Sequence, residues 1–148
     1  MKNLIYIILL FLFCCSSKTE KRISEKTVIH ENNTDIEKII FHHVNLIGIY
    51  TVVDIPCEDF EIAFGKDIKK DTITDKNEIA LLETYMQNLK LIDDSLFSKS
   101  IDSRAKFFFV SSSDTTVFCL NSGIVYLNNK YYKTPEALVE YIENIQKE

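Results

Sequence analysis

Residues Arg104–Ser111 read RAKFFFVS, Thr115–Leu120 read TTVFCL and Ile124–Leu127 read IVYL. Each run is rich in β-branched or aromatic residues, which fit a pleated, half-buried surface. Between them stand Ser112-Ser113-Asp114 and Asn121-Ser122-Gly123, the residue types that turn a chain. Asn128-Asn129 is a third tight-turn signal and leads into Tyr131-Tyr132. The C-terminal half therefore reads as a meander of antiparallel strands.

Thr134 follows as the cap of a last helix, with Pro135 at its first position and one apolar stripe of Leu138, Tyr141, Ile142 and Ile145. Upstream, Asp75 with Glu78 three residues later forms a capping arrangement. Ile79, Leu82, Tyr85, Met86, Leu89 and Ile92 then repeat at three and four residues, which predicts an amphipathic helix of about 18 residues. Lys69, Lys70 and Asp71 read as part of a solvated loop between Gly65 and Thr74. Glu58–Phe64 alternates Phe60, Ile62 and Phe64 with Asp59, Glu61 and Ala63, the pattern of a half-buried strand. Ile49–Ile55 (IYTVVDI) reads as a strand closed by Pro56, and Ile36–Val44 (IEKIIFHHV) suits either strand or helix, its β-branched content favouring strand. The order β-β-β-α-β-β-β-β-α argues for a single α+β domain over residues 35–148, an antiparallel sheet of about five to seven strands with two helices packed on one face.

Before this domain the chain changes character twice. Lys2 precedes an apolar run from Leu4 to Phe13, about ten residues, that meets Cys14-Cys15. Crossing the hydrocarbon takes roughly 20 apolar residues, whereas a secretory signal needs about 7–15. Residues 1–14 thus read as a signal peptide, and Leu12-Phe13-Cys14-Cys15 resembles a loose bacterial lipobox. That resemblance implies cleavage before a cysteine whose thiol carries a diacylglyceryl group and whose amine carries an acyl chain such as palmitate. Cys15 is the better lipidation site, because the small Cys14 then precedes the cut; Cys14 itself is the alternative, with Phe13 before it as the departure from the pattern. Residues 15–34, SSKTEKRISEKTVIHENNT after the cysteine, are polar and charged except for Ile23, Val28 and Ile29, and read as a flexible tether. The protein is accordingly expected on a cell membrane or outer membrane, lipid-anchored and facing the periplasm or cell surface.

The whole chain holds 17 basic and 22 acidic residues, a net charge of −5. Without Lys2 the balance is 16 against 22, or −6, and no basic cluster exceeds Lys69-Lys70. Phosphate backbones call for a concentrated basic face, so nucleic acid is excluded as an expected partner. Cys57 and Cys119 remain after the lipid site, an even number in a compartment where disulfides persist, and are expected to pair. Two buried free thiols are the alternative. His42 and His43 are adjacent, so on a strand they point to opposite faces, one packed and one solvated, and no metal site is expected.

Ile49-Tyr50, Cys57-Glu58-Asp59-Phe60, Asp102-Ser103-Arg104-Ala105-Lys106, Thr116-Val117-Phe118-Cys119 and Asn128-Asn129-Lys130-Tyr131-Tyr132 together resemble small uncharacterised lipoproteins of Bacteroidetes. The resemblance spans most of the folded part and implies compartment and domain extent rather than chemistry.

No Gly-x-Ser-x-Gly elbow, phosphate-binding glycine loop or His-Glu-x-x-His occurs, and the carboxylate pairs Glu58-Asp59 and Asp93-Asp94 diverge as sequence neighbours. No catalytic residue or cofactor is expected. A non-catalytic protein-binding module, inhibitory or immunity-like, is the leading expectation, with an envelope structural or assembly accessory as the alternative and a cryptic enzyme third. Tyrosines join large contact area to a polar tip and are enriched at interfaces, so Tyr126, Tyr131 and Tyr132 are the candidate partner-binding residues. The opposing expectation is that they complete the core.

Overall fold

The computed structural model describes residues 35–46, 53–93 and 101–147. Seven strands form one open sheet: β1 Ile36–His43, β2 Lys69–Ile73, β3 Lys90–Leu91, β4 Ala105–Ser111, β5 Thr115–Leu120, β6 Ile124–Leu127 and β7 Lys130–Lys133. Their spatial order is β2-β1-β4-β5-β6-β7-β3, and every pairing is antiparallel. Among the described residues three α-helices accompany the sheet: α1 Phe60–Phe64, α2 Lys76–Gln87 and α3 Glu136–Ile145. The protein is a single α+β domain, with β4 to β7 as the expected meander.

Alternation sorts the strands into two faces. Ile39 and Phe41 of β1, Phe107 and Phe109 of β4, Phe118 and Leu120 of β5, Val125 and Leu127 of β6 and Tyr132 of β7 lie on one face and are buried. Ile79, Leu82 and Met86 of α2 and Leu138 and Ile142 of α3 pack on that face and complete the main core. A second, smaller cluster of Val44, Phe60 and Phe64, with Ile55 and Ile68 against it, belongs to α1.

Local chemistry accounts for most of the element ends. Asn128 and Asn129 have φ of 50° and 60°, the left-handed conformations that a two-residue hairpin matched to strand twist requires and that asparagine tolerates. Asp75 Oδ1 accepts from the amides of Asn77 and Glu78, both at 3.0 Å, and so starts α2 as expected. The helix is shorter than the periodicity suggests: it stops at Gln87, where Asn88 Nδ2 donates to Thr84 O at 2.7 Å. Leu89 remains buried, but Lys90-Leu91 leave the helix to pair with β7, so the last apolar positions of the repeat, Leu89 and Ile92, flank a strand.

Four expectations are corrected. Glu58–Phe64 is a 3-10 turn, Cys57–Asp59, followed by α1 rather than a strand. Phe60 and Phe64 are four apart as well as alternate, so they share one helical face, and Ile62 points to water at 83% exposure. Lys69–Ile73 is an edge strand rather than a loop; lysines suit such a strand because they deter pairing with another chain. Thr134 does not cap α3: its Oγ1 donates to Asn121 O at 3.1 Å, and Pro135 occupies the N-cap, its carbonyl accepting from Leu138 and Val139. Finally, His42 and His43 do lie on opposite faces, but His43 is buried and His42 is half-buried rather than solvated. The expected strand Ile49–Ile55 falls largely outside the described residues, and its described part, Val53–Ile55, is not strand. Residues 1–34, with the proposed signal and Cys15, also lie outside them.

Candidate partner-binding face

Among the described residues, the sheet face opposite α2 and α3 is covered at one end. There α1 is held by a Cys57–Cys119 disulfide with Cα atoms 5.6 Å apart, Cys119 projecting from β5 on this second face. Lys106 Nζ, also on this face, donates to Glu61 Oε2 at 2.9 Å and to Cys57 O at 3.3 Å. Asp102 Oδ1 accepts from Ile55 N at 3.3 Å, while its Oδ2 accepts from Arg104, whose guanidinium stands over the Phe64 ring at 5.5 Å. Burial would raise the Glu61 carboxyl, but hydrogen bonds from Lys106 and its own backbone, the Lys106 charge and His42 bring it below the usual range. His42 Nδ1 lies 3.5 Å from Glu61 Oε1; burial and then Lys70 hold this imidazole below its ordinary value, outweighing Glu61.

Beyond α1 the middle of the second face is apolar. Ile40, Phe108 and Val117 sit opposite one another on β1, β4 and β5. Tyr126 faces Cys119 on one side and Tyr131 on the other, the two tyrosine rings tilted with centroids 5.2 Å apart. Tyr126 Oη donates to Asn129 Oδ1 at 2.8 Å. Val117 and Tyr126 are diagonal neighbours on adjacent strands, a spacing of about 7–8 Å that aromatic rings span. Ile40, Phe108, Val117, Tyr126 and Tyr131 thus make one strip across five strands. All are half-buried except Val117, which is exposed.

Of the three candidate tyrosines, the structure therefore brings two together and removes one. Tyr132 is 1% exposed and lies in the main core, because strict alternation along β7 places it opposite Tyr131. It is not an interface residue. Ile40, Phe108 and Val117 are additions that sequence reasoning missed. The signal was present in Phe107-Phe108-Phe109: an unbroken apolar run means that both faces of the strand are apolar, whereas alternation would mark one wetted face.

A second feature lies at the same end of β1, on the opposite face of the sheet. His43 stacks on Phe41 with centroids 4.5 Å apart and borders a hollow of about 470 Å³ with Val44, Asn45, Asp67, Lys69 and Gln146. Its Nε2 is 2.8 Å from Asp71 Oδ2, and its Nδ1 is 3.3 Å from Gln146 Nε2. The same Gln146 amide donates to Val44 O at 2.7 Å and accepts from Leu46 N at 3.2 Å. This network assigns the proton to Nε2, donated to Asp71, with Nδ1 accepting. A carboxylate–imidazole pair could orient a base, yet both ring nitrogens are engaged within the fold, and among the described residues no hydroxyl or thiol lines the hollow. The cluster clamps the end of α3 to β1. Among the described residues no group of three His, Cys, Asp or Glu is placed to hold a metal ion.

No family model matches the chain, and neither a curated protein nor a solved structure gives a match.

Proposed function

We propose that this protein is a membrane-tethered, extracytoplasmic lipoprotein whose domain binds a protein partner, without catalysis, through the second face of its sheet. The observation that carries the reading is the strip of Ile40, Phe108, Val117, Tyr126 and Tyr131 on a face that an isolated antiparallel sheet would make polar. The strip is half-buried except at exposed Val117, and apolar side chains left partly open to solvent and bordered by polar groups suit an interaction site. The apolar run Leu4–Phe13 before Cys14-Cys15 and the polar segment after it support the anchor, and the likeness of the runs from Ile49-Tyr50 to Tyr131-Tyr132 supports a place beside the Bacteroidetes lipoproteins. Both ring nitrogens of His43 are engaged within the fold, which favours binding over catalysis at this site.

Two measurements test this. A photo-crosslinker placed at Val117 or Tyr126 in cells should give adducts with one discrete envelope protein, while the same probe at Leu81, on the outward side of α2, should not. Equal labelling from both faces, or none from the sheet, refutes the interface. Fatty-acid labelling should be lost in Cys15→Ser; loss in Cys14→Ser instead moves the lipid site by one residue, and label that survives both variants refutes the anchor.

A further inference from the structure

We infer that the partner is recognised through a short acidic segment with an apolar centre, which lies along the strip between α1 and the free edges of the sheet. The inference rests on the binding role proposed for this face. It comes from a charge segregation that net charge conceals. Every charged residue that the strands place in register on the second face is a lysine: Lys38 on β1, Lys70 on β2, Lys106 on β4, Lys133 on β7 and Lys90 on β3. Glu61 neutralises Lys106. Lys38 and Lys70 make no ion pair among the described residues and are exposed, as are Lys90 and Lys133. Of the domain's acids, Glu78 and Glu83 lie on α2, Glu136, Glu140 and Glu143 on α3 and Glu58, Asp59 and Glu61 on the α1 segment, while most others among the described residues stand in turns and loops rather than on this face of the strands.

The lysines stand at the two ends of the strip. Lys38 and Lys70 flank Ile40, and Lys133 and Lys90 lie one pair beyond Tyr131. From β1 to β7 there are four strand spacings, about 19 Å, which an extended chain at roughly 3.3 Å per residue crosses in about six residues. A segment with apolar residues in the middle and carboxylates at both ends matches this layout. A second copy of the same face would set lysine against lysine. Residues 16–34 carry Lys18, Lys21, Arg22 and Lys26 against Glu20, Glu25 and Glu31, so the protein's own tether does not complement the face either. An anionic membrane is disfavoured by charge: the turn before α1 on this face carries the exposed Glu58 and Asp59, which anionic headgroups repel.

The test uses the full chain in detergent and three probes: a fluorescent peptide of four alternating leucines and tyrosines flanked by two glutamates at each end, its glutamine counterpart, and phosphatidylglycerol vesicles. The glutamate peptide should bind more tightly than the glutamine peptide, and its affinity should drop about tenfold from low to about 0.5 M salt as the charges are screened. Lys70→Glu and Lys133→Glu should each weaken it about three- to tenfold at low salt without shifting thermal unfolding. Tyr126→Ala should weaken both peptides. If the two peptides bind equally and Tyr126→Ala weakens both, the acidic specificity is overturned while the binding face stands. If neither peptide binds, the inference is overturned, and crosslinking from Val117 then decides the fate of the face itself. Vesicle binding that the two lysine variants abolish, with no preference for the glutamate peptide, overturns it in favour of a lipid surface.

Discussion

Cys57→Ser combined with Cys119→Ala removes the cross-link between the α1 segment and β5, leaving the backbone, which runs from Phe64 into β2, as the covalent tie to the sheet. The two residues are 62 apart in sequence, and in the chain-entropy model a loop of that size stabilises the fold by about 4 kcal/mol through loss of freedom in the unfolded chain. The native contacts that hold α1 are weaker. The Lys106–Glu61 pair joins a half-exposed carboxylate and contributes no more than about 1 kcal/mol. Phe60 and Phe64, buried against Val44, remain the main attachment. With a urea m-value near 2 kcal/mol per M, the expected loss moves the unfolding midpoint down by about 2 M. Amide exchange should meanwhile rise at Phe60 and Phe64 before it rises in β4 and β5, because the cut link frees a peripheral element first. A loss under about 1 kcal/mol, or exchange that rises equally throughout the sheet, would refute the reasoning. The first result would mean that the unfolded chain is already compact; the second, that α1 belongs to the main cooperative unit.

Tyr132→Ala should cost about 3–5 kcal/mol in chemical unfolding, since its ring is in the core, whereas Tyr126→Ala should stay within about 1 kcal/mol. Similar losses for the two would contradict the face assignment along the β6–β7 hairpin. Asp75→Ala should remove about 1 kcal/mol by leaving the amides of Asn77 and Glu78 without their acceptor, a loss readable as a lower midpoint at unchanged m-value. Gln146→Ala should cost about 1–3 kcal/mol and raise exchange at the end of α3, because it leaves Val44 O, Leu46 N and His43 Nδ1 without their shared partner. Acidification should destabilise the protein in two stages. The His42 imidazole is held below 6.5 in the folded state, so the unfolded chain binds more protons as pH falls through that value. The depressed Glu61 carboxyl adds a further loss below its ordinary 4.5, a stage that Glu61→Gln should remove; urea midpoints that rise on going from pH 8 to 4 would refute the assignment.

The meander, both long helices and the disulfide partners were legible in the sequence because each is written locally. Asn128-Asn129 can form a two-residue turn whatever surrounds it, Asp75 caps with its own next residues, and Ile79, Leu82 and Met86 share a face by helical spacing alone. Cys57 and Cys119 were readable by count, since only two cysteines followed the proposed lipid site.

Tertiary structure decided the elements whose local pattern admits two solutions. Phe60, Ile62 and Phe64 satisfy a strand period and, through Phe60 and Phe64, a helical one; the site beside Val44 and Arg104 selected the helix and left Ile62 in water. Lys69–Ile73 became a strand because β1 had a free edge to pair with, a vacancy that no property of KKDTI announces. The choice of which tyrosine faces outward follows from register, since a shift of one residue exchanges Tyr131 and Tyr132 between core and surface. The lysine-bordered apolar strip exists only because antiparallel pairing aligns Lys38, Lys70 and Lys133 with Ile40, Phe108, Val117, Tyr126 and Tyr131 from separate strands. Sequence determines which residues alternate along each strand, and only the pairing of strands determines what they face together.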